Sequence, residues 1–253
     1  MRTRIAILGS VLLSLAAAAG IAQDGGVIAA PAPPVSPAPE VFGTGTDSYT
    51  TVAEWEFTAP RSSNTWEDVG GNTPLKFATV ANGFFNAPVH VPSGALLTYL
   101  EFDYCDDNPT EDLFVQLVAL DFNNTVLYTL GSVHSSGAPG CTFGSFDVGQ
   151  YGITVDNYEQ RLLLQAGFGA NADGTTRFAG AIVGYRLQVS PAPGVATFND
   201  VPSGHPFFQY VEALNAAGIT GGCGGGNYCP DAPLTRGQMA VFLSKALGLF
   251  WTD

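Results

Sequence analysis

Leu96-Leu97-Thr98-Tyr99-Leu100-Glu101-Phe102-Asp103-Tyr104 alternates. Leu96, Thr98, Leu100, Phe102 and Tyr104 fall on one side of an extended chain, with Leu97, Tyr99, Glu101 and Asp103 on the other. Successive side chains of a strand point to opposite faces, so this period of two is the mark of a β-strand. The pattern recurs at Leu113, Val115, Leu117 and Ala119, and again at Leu162, Leu164, Ala166 and Phe168. A longer run places Ala179, Ala181, Val183, Tyr185, Leu187 and Val189 on one face. Turn clusters separate the runs: Asp121-Phe122-Asn123-Asn124, Gly137-Ala138-Pro139-Gly140 and Asn171-Ala172-Asp173-Gly174. Short strands with regular turn signals predict a mainly β domain over residues 46–190, an antiparallel β-sandwich of jelly-roll-like form. A segment of that length is enough for one sizeable core. Leu100, Phe102, Leu117, Leu164 and Leu187 are expected in it. The whole composition agrees, with 12% charged residues and 31 glycines, which suits strands and tight turns better than helix bundles.

The period changes after Ser190-Pro191-Ala192-Pro193-Gly194. Residues 191–196 read as a linker and 197–253 as a small helical domain. Phe207, Tyr210, Val211, Leu214 and Ala217 recur at three- and four-residue spacings, which predicts an amphipathic helix over His205–Ala217. Pro206 suits the first helical position and Gly218 the stop. A Gly-rich turn follows, Gly221-Gly222-Cys223-Gly224-Gly225-Gly226-Asn227. Thr235-Arg236-Gly237-Gln238 then opens a second helix, with Thr235 as N-cap and Gln238 as its capping-box partner. Met239, Phe242, Leu243, Ala246 and Leu247 supply its apolar side, and the two helices are expected to pack through Val211, Leu214, Phe242 and Leu243. Two such helices bury little alone, so a covalent staple or a partner surface is needed.

At the other end, Arg2 and Arg4 precede an uncharged Leu/Ala run, and Gly20-Ile21-Ala22 places small residues before a cut ahead of Gln23. Residues 1–22 thus read as a secretory signal peptide. Residues 23–45 hold the stretch Ala30-Pro31-Ala32-Pro33-Pro34-Val35-Ser36-Pro37-Ala38-Pro39, a disordered spacer that favours extended conformers. No later stretch reaches the roughly 18 apolar residues of a transmembrane helix, so no membrane span is expected in the mature protein. Losing Arg2 and Arg4 makes the net charge two units more negative than the −13 of the full chain. Such a surface repels nucleic acid and anionic lipid.

The four cysteines, Cys105, Cys141, Cys223 and Cys229, meet an oxidising compartment after export and allow three disulfide connectivities. Proximity favours Cys105–Cys141 within the β domain and Cys223–Cys229 within the helical one. The spacing of the last pair and the lack of a nearby His argue against zinc. Between Asp103 and Asp112 the chain is densely acidic, and Asp103, Asp106 and Asp107 offer hard oxygens to Ca²⁺. The spacing is not that of a calcium loop, so the segment reads as a solvated acidic loop pinned by Cys105, with no metal and no cofactor expected. The histidines His90, His134 and His205 are scattered, and no nucleophile elbow surrounds His134-Ser135-Ser136. Trp55 and Trp66 have two readings, stacking on sugars or packing in the sandwich core, the commoner fate.

Residues 197–249 resemble an S-layer homology (SLH) repeat. Phe198-Asn199-Asp200-Val201 opens the pattern and His205 holds its His position. Val211-Glu212-Ala213-Leu214, Gly218-Ile219, Tyr228 with Pro230, and Thr235-Arg236-Gly237-Gln238 follow in the family's order. Pro206 stands where the family usually has Trp, Gln238 replaces Glu, and one repeat stands in place of the usual three. The resemblance implies envelope association. In the family, three-spoked assemblies hold an acidic, often pyruvylated wall glycan, with the Arg of this motif gripping a carboxylate. Carried over, that makes Arg236 the anion-binding residue, with Thr235, Gln238 and His205 beside it in the motif. One repeat makes no complete groove, so the partner is a cell-wall or surface polysaccharide, another envelope protein, or a second copy joined through this module. The expected protein is exported, non-catalytic and held at the cell envelope or surface, on the extracellular or periplasmic side. The alternative is a carbohydrate-binding or carbohydrate-active extracellular enzyme delivered by the same tail.

Overall fold

The protein was analysed as a computed structural model, which describes residues 45–69, 75–135, 139–170 and 173–249. The signal-peptide reading and nearly all of the Pro/Ala spacer lie outside the described residues.

Among the described residues, ten strands form two antiparallel sheets. The strands are β1 (Ser48–Ala53), β2 (Trp66–Asp68), β3 (Lys76–Ala78), β4 (Phe84–Val89), β5 (Leu96–Asp106), β6 (Leu113–Leu120), β7 (Val126–His134), β8 (Gly140–Asp147), β9 (Arg161–Phe168) and β10 (Thr176–Arg186). One sheet of six strands runs β2-β3-β10-β5-β8, with β1 also paired to β10; the other, of four, runs β4-β9-β6-β7. Helices α1 (Phe208–Ala216) and α2 (Arg236–Ala246) follow. The chain is thus mainly β, a jelly-roll-like sandwich with a small helical module after it.

The core lies between the sheets, because each long strand carries its apolar residues on the side facing the other sheet. Leu100 and Phe102 from β5 meet Leu117 from β6 and Leu164 from β9, all fully buried. Phe57 and Phe178 pack edge to face at 4.6 Å, a favoured geometry for aromatic rings. Strand β6 buries both sides: Leu113, Val115, Leu117 and Ala119 face the core, while Gln116 on the reverse is also buried. Its amide donates to Gln165 Oε1 at 2.8 Å, which meets the requirement that a buried polar group find a partner.

The reading of β10 needs correction. One register shift places an extra residue on β10 at Ala179, and a second places one on β5 at Thr98, so that Leu97, and not Leu96 or Thr98, joins Leu100 and Phe102 in the core cluster. Phe178, Ala181 and Val183 therefore face the core. Leu187 lies beyond the strand end and is 45% exposed, so it is not a core residue. A bulge inserts one extra residue and turns every later side chain to the other face.

Both disulfides form as expected. Cys105 and Cys141 are directly opposed across β5 and β8, and Cys223 joins Cys229 across the Gly-rich turn with Cα atoms 6.0 Å apart. Neither Trp55 nor Trp66 is in the core. Trp55 is 69% exposed, and Trp66 lies at the surface on β2, its ring 3.4 Å beneath the Nζ of buried Lys76. Burial lowers the Lys76 pKa, which nearby Asp68 and Glu54 partly offset.

Candidate functional sites: the helical module and the outer sheet face

The helical module is built around two hydrogen-bonded carboxylates, the buried Glu212 and the half-buried Asp200, and a four-residue apolar cluster. Phe198, Val201, Phe208 and Val211 are packed together, with Ala192, Ala196 and Tyr228 against them. Asp200 accepts from the backbone N–H of Tyr228 at 2.8 Å and of Cys229 at 2.7 Å. Those bonds, that from Tyr228 foremost, hold its pKa below the ordinary aspartate value. Asn199 N–H donates to Gly226 O at 2.9 Å, so two adjacent residues clamp the Gly-rich turn from one side while Cys223–Cys229 closes it from within. Glu212, buried on α1, accepts from Thr197 N–H and Thr197 Oγ1, both at 2.7 Å. Sequence reasoning singled out neither carboxylate for this. Their signal was position alone, one acid in the opening motif and one in the helix core.

Helix α1 starts later than predicted, at Phe208, because His205 and Pro206 belong to a turn. His205 N–H donates to Pro202 O at 2.8 Å, and Phe208 N–H to His205 O at 2.9 Å. The His205 ring Nδ1 accepts from Phe207 N–H at 3.2 Å, so His205 closes the turn just before α1. The buried side of α1 is Phe208, Val211 and Glu212, whereas the expected Phe207 and Tyr210 are exposed. The stop is as read: Gly218 has φ +69°, and Ile219 N–H reaches back to Leu214 O at 2.9 Å, a Schellman closure.

Helix α2 opens on the expected capping box. Thr235 Oγ1 accepts from Gln238 N–H at 3.2 Å, and Gln238 Oε1 accepts from Thr235 N–H at 2.9 Å. Gln238 therefore does the reciprocal capping expected of it. Arg236 is exposed and makes no ion pair with a described residue. The expected packing of α2 on α1 is not observed. No α2 residue is buried, and Leu243 and Leu247 are 49% and 66% exposed. A polar tie joins the helices: Lys245 Nζ donates to Gly218 O at 2.7 Å, where an ammonium meets the carbonyl end of α1. Val211 is instead taken up by the apolar cluster around Phe198 and Val201.

Asp103, Asp106 and Asp107 do not converge. Asp106 is buried, its Oδ1 accepting from Asn108 N–H at 2.9 Å and its Oδ2 from Ser135 Oγ at 2.5 Å. Asp107 pairs with Arg177, and Asp103 points from the outward face of β5. Among the described residues no group of three or more His, Cys, Asp or Glu is placed to hold a metal ion. The segment is thus a tightly hydrogen-bonded loop rather than a merely solvated one, with Asn108 Oδ1 also accepting from Thr110 and Glu111 N–H at 2.9 Å each.

The outward face of the six-stranded sheet carries a second set of polar and aromatic groups. Tyr49, Gly184, Tyr99 and Asp147 are opposed across four strands, and Asp103 and Phe143 lie in a row further along. Glu101 sits between the rows and accepts from the Tyr99 hydroxyl. Burial, with the neighbouring Glu101 charge second, raises the Asp103 pKa. Sequence reading put Tyr99, Glu101 and Asp103 on one face together with Leu97, which is instead a core residue, and it missed Tyr49 and Phe143, which lie in shorter alternating runs. On the four-stranded sheet, Ser132 Oγ lies 3.4 Å from His134 Nε2, longer than a nucleophile–base hydrogen bond.

These elements define a two-sheet β-sandwich followed by a compact module of two helices around a Gly-rich turn. Residues 197–240 match the family model described as the S-layer homology domain, so the C-terminal region is SLH-like; the match ends inside α2. The sandwich has loose structural likeness to carbohydrate-binding modules. The CBM36-1 domain of a multidomain xylanase from the hindgut metagenome of Trinervitermes trinervoides is 12% identical over 58% of this chain and 100% of that one, with TM-score 0.35. A family 35 module from Clostridium thermocellum is 16% identical over 54% and 97%, with TM-score 0.35. The CBM35 from Cellvibrio japonicus Abf62 is 15% identical over 54% and 92%, with TM-score 0.34. No ligand or activity is carried over from them. No curated protein matches the chain. Among the described residues no helix is long and apolar enough to cross a membrane.

Proposed function

We propose that this is a non-catalytic exported envelope protein, with the SLH-like tail associating with cell-wall glycan or the surface layer and the sandwich serving as a display or binding module. The observation that carries the reading is the SLH match over residues 197–240, joined to the state of Arg236. A guanidinium at a helix start lies against the positive end of the helix dipole, which costs a few tenths of a kcal/mol unless an anion answers it. No described carboxylate answers Arg236. Its fork suits a glycan carboxylate or a carboxylate of another envelope protein. Thr235 and Gln238 are occupied with each other in the capping box, so their role is to fix the helix start from which Arg236 projects. His205 is likewise engaged, in the turn before α1.

Binding of the purified full chain to isolated wall fragments tests this. Arg236→Ala should weaken sedimentation with the fragments while changing stability by less than about 1 kcal/mol, as expected of an exposed charge. Unchanged sedimentation would remove Arg236 from the tether and leave the exposed apolar side of α2, through a partner or a second copy, to carry it.

A further inference from the structure

We propose that the outward face of the six-stranded sheet is a binding platform for a neutral, hydroxyl-rich polysaccharide lying across β1, β10, β5 and β8. This deepens the reading of the sandwich as a binding module and rests on it. Two aromatic side chains stand open on this face, Tyr49 at 59% and Phe143 at 58% exposure. Rings of that size are normally withdrawn from water, and an exposed ring offers a flat apolar face to the C–H side of a sugar. Gly184 lies between Tyr49 and Tyr99, and a Cβ there would come within 3.2 Å of the Tyr49 ring, so bare backbone forms the floor beside the Tyr49 ring. Tyr49 and Tyr99 meet edge to face at 6.4 Å, which fixes the outer ring.

Strand spacing and rise separate Tyr49 from Phe143 by about 20 Å along a diagonal. That span calls for an extended chain rather than one sugar ring. Glu101 and Asp103 lie between the two aromatics, and no described cation pairs with either. Carboxylates accept hydrogen bonds from hydroxyls and repel other anions. The charge of the face therefore excludes an acidic glycan, while its rings select a ligand with apolar faces. The sandwich and the Arg236 end of the tail would then take ligands of opposite electrostatic character.

The test is calorimetric titration of the full, disulfide-bonded chain with xylohexaose, cellohexaose and laminarihexaose, using polygalacturonate and poly-lysine as charged controls. The proposal expects binding of at least one neutral hexasaccharide and none of polygalacturonate at this face. Tyr49→Ala and Asp103→Asn should each weaken binding tenfold or more with an unchanged melting temperature. If a neutral sugar binds equally well to both variants, this face is not the site, although the sandwich stays a binding module. If poly-lysine alone binds and the variants abolish it, the occupant is a basic chain and the glycan assignment fails. If no probe binds, the platform is rejected while the wall-fragment test of the tail still stands by itself.

Discussion

Asp200 has one task that its neighbours cannot share. Its two carboxylate oxygens receive the N–H groups of Tyr228 and Cys229, and Cys229 sits at φ +61°, a backbone conformation that favours glycine. Asp200→Ala should therefore loosen the Gly-rich turn. Because the folded-state pKa is depressed, the stabilisation from Asp200 is present above the ordinary value of 3.8 and lost as pH falls through the lower folded value. An amide-resolved NMR titration should show Tyr228 and Cys229 shifting together below that pH, and a flat response would remove Asp200 from this role. In the sandwich, Leu100 and Leu164 are fully buried in the core. Replacing either by Ala should cost about 2–5 kcal/mol, read from the denaturant midpoint. A cost near zero would mean that the core is not packed as described.

The elements show where sequence was informative. Strands β6 and β9, and β5 from Leu100 onward, were legible because a period of two has one interpretation once one face must be buried, whereas nothing announced the extra residue at Thr98. Strand β10 was legible through Ala181, Val183 and Tyr185, which share the core face, but not at Ala179, since nothing in Phe178-Ala179-Gly180 announces the extra residue except the glycine itself. The start of α2 was legible from Thr235 and Gln238, whose hydrogen bonds are local. The faces of both helices were not. Burial of Glu212 depends on Thr197, fifteen residues earlier, and the apolar residues of α2 have no described surface to meet. The disulfides were legible by proximity, and they act at this scale. In the chain-entropy account, opening Cys105–Cys141, with a sequence separation of 36, should cost about 4 kcal/mol, and opening the short Cys223–Cys229 loop about 2 kcal/mol. Melting curves with and without reductant check this, with Cys→Ser pairs separating the two contributions. Equal losses would contradict the loop-length dependence.

For the whole molecule, the sandwich holds its own core and the tail its own small cluster, with a hydrogen bond from Gln209 Nε2 to Val189 O at 3.2 Å between them. The tail buries little and leaves α2 open, which is the arrangement expected of a module completed by something outside it. The candidate tether was legible as a motif, from Phe198-Asn199-Asp200-Val201 through Thr235-Arg236-Gly237-Gln238, because the family's order is kept. The outward sheet platform was not, since it needs four strands from distant parts of the chain to bring Tyr49, Tyr99 and Phe143 to one face. The central claim, that the tail holds the protein at the envelope, is tested most directly by fractionating cells that express the full chain or a chain lacking residues 195–253. The full chain should be recovered with the envelope and the truncated one in the soluble fraction, with the sandwich still folded by circular dichroism. Equal recovery of both with the envelope would contradict the account.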